Sequence, residues 1–273
     1  MYYLLTESFK TQETQLVSLI LQAVPVQKIY LLGSTLAQQR TESVFNTTAP
    51  SVRSVSHYYL LVLIDKEGGA SKASVQDKIE NNCRSFIPVT AIVLGMVQFN
   101  DWLATGHRFA CSVAEIAVAL YEKDKMPILF PAGKQSGQAP VMEESNYTQS
   151  INKVNEFIAG AELYRLRVQY KMAAFMLHQA AEHALHTIFH KATGLHITTH
   201  SIDKLVRYCS MVSYQLPSVF PRNNEKNERL FSLLQKAYID ARYNEDYSIN
   251  HAELQAILQR VQALHLLCLP TKQ

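Results

Sequence analysis

Cysteine is sparse and scattered in this chain. Four occur in 273 residues (Cys83, Cys111, Cys209 and Cys268), and no two form a CxxC pair. That spacing excludes a disulfide framework and the common zinc patterns. Charge is thin as well: Asp, Glu, Lys and Arg together make up 18%, with a formal net charge of +3. So small an excess does not draw the basic stripe that tracks a phosphate backbone. Long apolar runs are also missing. LVSLILQAV and HYYLLVLI are too short to span a bilayer, and MYYLLTESFKTQE shows no basic region ahead of a long apolar stretch. With no membrane segment and no leader, the expected setting is cytoplasmic.

A hydrophobic fraction of 48% is ordinary for a globular protein, and 273 residues suffice for two domains. Ten histidines add a reserve of positive charge as pH falls toward about 6.5. The chain changes character at PILFPAGKQSGQAPVMEES, which concentrates Pro, Gly, Ser and Gln and has little periodicity. This predicts a first domain over residues 1–126, a linker over 127–144 and a second domain over 145–273.

In the first domain, apolar residues at helical spacing predict a helix from Thr6 to Val24, closed by Pro25. VQKIYLLG reads as a short strand ending in a Gly33-Ser34 turn, and Gln38 to Val55 as polar and irregular. The apolar run from His57 to Ile64 predicts a strand covered on both faces. Lys72 to Asn82 reads as helix, Ile87 to Leu94 as strand, and Phe109 to Tyr121 as helix by its apolar spacing. This α-β-β-α-β-α order predicts an α+β fold with a small mixed sheet. The second domain reads as an all-α bundle, with helices at Tyr147–Arg167, Tyr170–Ala192, Ser201–Val212, Asn227–Arg242 and His251–Cys268. Gly194 is the expected stop of the second helix, and Asn250 with Glu253 the capping box of the last. QLPSVFP, with two prolines, reads as loop.

Nucleotidyl transfer needs backbone N–H groups at a Gly-Ser turn and carboxylates on adjacent strands to hold divalent magnesium. YLLGS, the Ser-led strand SHYYLLVLID and the segment FACSVAEIAVALYEKD resemble the minimal nucleotidyltransferase family over roughly residues 8–121. That resemblance implies nucleotide binding at Gly33 and Ser34. The family's carboxylate positions, however, fall on His57, Tyr59 and near Thr90, so no transfer is expected; Asp65 stands at the far end of its strand.

HQAAEHAL, THSIDKL and ARY in the second half resemble the HEPN family over residues 147–268. The resemblance implies a four- or five-helix bundle, frequent dimerisation, and either RNA cleavage or nucleotide binding. The family's ribonuclease motif places His four to six residues after Arg, the first stabilising phosphorane charge and the second moving a proton. Arg242 is the matching arginine, but Tyr247, Ser248 and Ile249 stand where His belongs, and His251 comes too late. Arg242 can instead hold a phosphate, with Lys236, Tyr243 and His251 nearby in sequence, or pair with Asp240, Glu245 or Asp246.

The second helix is apolar almost all round, which points to a subunit interface. Leu177, Ala181, Ala184, Leu185 and Ile188 share its core face. His183, His186 and His190 fall on the opposite side as candidate metal ligands. With Glu182 the one acid nearby in sequence, packing or interface roles outweigh metal, and no cofactor is expected. The favoured expectation is a non-catalytic nucleotide- or RNA-binding regulatory protein related to toxin–antitoxin pairs, dimeric through its helical half. The alternatives are a ribonuclease using Arg242 and His251, or a scaffold for an unidentified protein partner.

Overall fold

The computed structural model describes residues 7–39, 52–65, 71–123 and 144–269. The chain divides into two compact units, Met1–Ala139 and Pro140–Gln273. Apart from Glu144, the expected linker lies outside the described residues.

In the first unit, α1 (Glu7–Ala23) leads into β1 (Lys28–Gln39) and β2 (Val52–Ile64). Next come α2 (Lys72–Cys83), β3 (Val89–Gly95), α3 (Met96–Thr105), α4 (Arg108–Ile116) and β4 (Val118–Glu122). The sheet order is β3-β2-β1-β4. β1 is antiparallel to both β2 and β4, while β2 and β3 are parallel and joined through α2. The sheet is therefore mixed, as expected.

Alternation along β2 divides its side chains between two faces. Tyr58, Leu60, Val62 and Ile64 join a buried cluster with Leu16 and Ile20 of α1 and Val75, Ile79 and Cys83 of α2. Leu61 and Leu63 on the opposite face are equally buried, as are Phe99 and Leu103 of α3. There Tyr30 of β1 stacks on Phe99, with centroids 6.2 Å apart. At the sheet edge, Lys28 is buried and donates to Glu122 Oε1 across the β1–β4 pair at 3.1 Å.

Several expectations are corrected. Gly33-Ser34 is no turn: both residues lie inside β1, opposite Tyr59 and Tyr58. The register shift between Leu31 and Gly33 takes up an irregularity within the ladder instead. A Cβ on Gly33 would meet Tyr59 Cδ2 at an ordinary 3.9 Å. The supposedly irregular stretch from Gln38 to Val55 contributes strand at both ends, because β1 runs to Gln39 and β2 starts at Val52. Phe109 to Tyr121 is not one helix. It stops at Ile116, and β4 follows, because the open edge of β1 offers a hydrogen-bonding ladder that outweighs helical spacing. Helix α3 had no counterpart in the sequence reading; Gly106 ends it at φ 76°, in the left-handed region.

The second unit contains α5 (Glu144–Leu166), α6 (Tyr170–Thr193), α7 (Ile202–Ser210), α8 (Leu216–Val219), α9 (Glu225–Lys236), α10 (Asp240–Tyr243) and α11 (His251–Cys268). Gly194 closes α6 at φ 79°, and Asn250 with Glu253 forms the capping box of α11, both as expected. QLPSVFP holds the one-turn helix α8, with a proline in its first turn where the missing N–H costs nothing. The helix expected from Asn227 to Arg242 breaks after Lys236 and resumes at Asp240.

Helix α6 packs against α5, α7, α9, α10 and α11. Its apolar girth is therefore taken up within the unit and requires no subunit interface. Leu177, Ala181, Ala184 and Leu185 are buried, and so is Phe189 on another side. The thiols of Cys209 and Cys268 donate to the Leu185 and Ala184 carbonyls of the same helix.

Leu61→Ala should lower the stability of the first unit by about 2–5 kcal/mol. Leu36→Ala, at a residue 54% exposed, should change it by less than about 0.5 kcal/mol. Urea unfolding followed by fluorescence of Trp102, the single tryptophan, measures both.

Candidate functional site

The positions expected to carry carboxylates in the first unit do come together, but none of them is an acid. Tyr59 pairs with Thr90 across β2–β3, and His57 pairs with Thr35 across β1–β2. His57 Nε2 lies 2.8 Å from Thr90 Oγ1, and Thr35 Oγ1 lies 3.2 Å from the Tyr59 hydroxyl. The His57 and Tyr59 rings are in contact at 4.8 Å. Ser56 Oγ donates to the Thr35 carbonyl. Imidazole, phenol and hydroxyl groups bonded to one another supply none of the anionic oxygens that magnesium requires. Asp65 lies at the other end of β2, in an open pocket of about 540 Å³ shared with Lys72, Gln98, Asp101 and Trp102. Among the described residues, no group of three or more His, Cys, Asp or Glu side chains is placed to hold a metal ion.

In the helical unit the three histidines singled out on α6 do not converge. His183 stacks on Phe157 of α5 at 5.3 Å, and His190 stacks on His196 at 3.9 Å. His186 Nε2–H donates to the Thr199 carbonyl at 3.2 Å. Burial pushes the pKa values of His183 and His186 down, so both favour the neutral form. These are packing roles.

The polar cluster that the sequence reading missed lies one turn earlier on α6. His178 is fully buried, and its Nδ1–H donates to the Leu234 carbonyl at 2.9 Å. Its Nε2 faces Glu182 Oε2 at 3.4 Å, without the alignment of a good hydrogen bond. Glu182 Oε1 accepts from His200 Nδ1–H at 3.0 Å. Burial raises the Glu182 pKa, but the facing imidazoles of His178 and His200 outweigh it and hold the carboxyl below its ordinary value. The Tyr238 ring packs against His200 at 4.9 Å and against His178 at 5.3 Å. One turn on from Tyr238 is Arg242.

Arg242 is exposed, and it forms no ion pair with Asp240, Glu245 or Asp246. Its Nε–H donates to the Tyr238 carbonyl at 2.7 Å. The guanidinium carbon lies 4.8 Å from the Phe175 ring centroid and 4.9 Å from those of Tyr238 and Tyr243. Tyr243 is 75% exposed beside it. Lys171 donates to the carbonyls of Asn244 and Glu245, which ties the following turn to α6. Lys236 is exposed at the end of α9.

Tyr247, at a position where the ribonuclease motif would carry His, is buried, and its hydroxyl donates to the Leu233 carbonyl at 3.0 Å. Burial, reinforced by the charges of Asp240 and Glu253, raises its pKa. His251 is exposed at the start of α11, 6.0 Å from Tyr170 between ring centroids, and makes no hydrogen bond or ring contact with Arg242. Gly33 and Ser34 belong to the other unit.

Residues 147–269 match the family model of the HEPN domain, and the helical unit is a HEPN domain. Such domains are associated with RNA binding or ribonuclease activity and with toxin–antitoxin systems. No curated protein matches the chain. Among the described residues, no helix is long and apolar enough to cross a membrane.

The depressed pKa values of His183 and His186 have a consequence for stability. A histidine whose folded pKa lies below its unfolded value contributes stability above the unfolded value, about 6.5, that is lost as pH falls through the folded value. The melting temperature of the HEPN unit should therefore fall as pH drops below 6.5. Replacing both residues with Gln should flatten that slope, as measured by circular dichroism across a pH series.

Proposed function

We propose that this protein is an RNA- or nucleotide-binding regulatory protein in which Arg242 holds phosphate, and in which nucleotidyl transfer does not occur. The observation that carries this reading is the setting of Arg242. An exposed guanidinium with no carboxylate partner among the described residues, framed by the rings of Phe175, Tyr238 and Tyr243, is arranged to receive an anion from outside. Exposed Tyr243 adds a surface on which a base can stack. Lys236 adds charge to the same stretch of sequence.

Cleavage by an Arg242–His251 pair is disfavoured, because Tyr247 is anchored in the core and His251 contacts Tyr170 instead. The first unit is read as a nucleotidyltransferase-like domain over residues 1–126 whose catalytic carboxylates are replaced by the His57–Thr90 and Thr35–Tyr59 pairs. Gly33 and Ser34 remain its candidate nucleotide contacts. A linker over 127–144 joins it to the domain at 145–273. Dimerisation through the HEPN unit is supported by exposed Leu163, Leu166 and Val168 at the end of α5. A cytoplasmic role beside toxin–antitoxin modules completes the reading.

Fluorescence anisotropy with a labelled single-stranded RNA should show saturable binding that weakens with salt. Arg242→Ala should weaken it by about tenfold or more, the loss expected for a charge-assisted contact. Absence of binding to RNA and to ATP alike would overturn the reading, as would transfer of labelled nucleotide from ATP with magnesium.

A further inference from the structure

We propose that the helical unit carries a second site, a hollow at the far end of α6 that binds a small organic acid with an apolar body. This goes beyond the reading of Arg242 and does not depend on it. Phe175, which frames Arg242, and Lys191, which lines the hollow, lie about 24 Å apart along the helix axis.

The hollow has a volume of about 340 Å³ and lies between helices, the size range and setting of a small-molecule pocket. Four segments meet at it: the first turn of α5, the last two turns of α6, the turn after α7 and the last turn of α11. Ile188, Val212 and Leu267 form its apolar wall. Val212 and Ser213 are delivered by a tight turn in which both N–H groups donate to the Cys209 carbonyl. Cys268, itself buried, also lines the hollow.

The sign of the charge selects the ligand. Lys191 brings an ammonium to the wall, and none of the described residues lining the hollow is an acid. That ammonium is held in place. It donates to the Tyr147 hydroxyl at 3.0 Å and lies 4.3 Å from the centre of the same ring. The Tyr147 hydroxyl donates in turn to the Cys268 carbonyl, so the cation is tied to two helices besides its own. A cation in the last turn of α6 has an ordinary structural use, because it offsets the negative end of the helix. That use accounts for the charge but not for an apolar hollow beside it. A positioned ammonium, the Ser213 hydroxyl and a wall of aliphatic side chains together suit a carboxylate on an aromatic or branched body. An amine or a metal ion would meet repulsion from Lys191 instead.

The test uses the full chain with phenylacetate as the probe, and phenylacetamide and phenethylamine as its neutral and cationic counterparts. Calorimetric titration gives the affinities, and the alkylation rate of Cys268 reports on the hollow itself. Phenylacetate should slow alkylation of Cys268 saturably and leave Cys83, in the other unit, unchanged. The amide and the amine should bind about tenfold more weakly or worse. Lys191→Met, which keeps most of the stem and removes the charge, should weaken phenylacetate by about tenfold or more, the loss of a charge-assisted contact. Lys191→Arg should retain most of the affinity. Equal binding of acid and amide, or unchanged binding in Lys191→Met, overturns the site. So does the absence of any Cys268 protection up to the solubility of the probe, or equal slowing at Cys83, which marks a general effect of the salt.

Discussion

Glu182 is an acid on the most enclosed helix of the HEPN unit, and much of the polar structure around it follows from the donors it requires. His200, just ahead of α7, donates to one of its oxygens, and the His178 ring, a turn earlier on α6, faces the other. His178 is in turn fixed to the carbonyl of Leu234 in α9. Tyr238 then packs against both imidazoles, and Arg242 sits one turn beyond it. One buried charge thus ties α6, the segment before α7 and the α9–α10 turn into a single polar unit. Its cost in stability makes sense when the arrangement serves something outside the core.

The first unit shows the opposite outcome on equivalent ground. Adjacent strands still bring polar side chains of β1, β2 and β3 to one place, but those side chains satisfy each other. Hydroxyl and imidazole groups joined in pairs are stable without a guest, whereas a cluster of carboxylates would repel itself until a cation arrived.

Legibility from sequence followed the range of the forces involved. Helix limits in the second half were readable because caps and spacing are local: Gly194 and Asn250 mark ends that the structure keeps. Strand β2 was readable from its unbroken apolar run. Strand β4 was not, since its residues become strand only by pairing with β1, some ninety positions away. Gly33-Ser34 misled for the same reason, as pairing with β2 carries the chain straight through it. In the site, Arg242 was legible from its ARY context, and the absence of a well-placed His from simple counting. The link between Glu182 and His200 was hidden because eighteen residues and a turn separate them. The one available signal was an acid among the small and apolar residues of α6, which needs a partner from somewhere.

The sequestered thiols give each unit its own reporter. Burial pushes the pKa of Cys83 up to about 11 and that of Cys268 to about 12, and Cys209 is raised as well. Alkylating reagents attack the thiolate, so these sulfurs react only when the surrounding structure opens. Modification of Cys83 then times the opening of the sheet unit, and modification of Cys209 and Cys268 that of the helices around α6. The chain carries natural clocks for two separate unfolding events, with no label to be introduced.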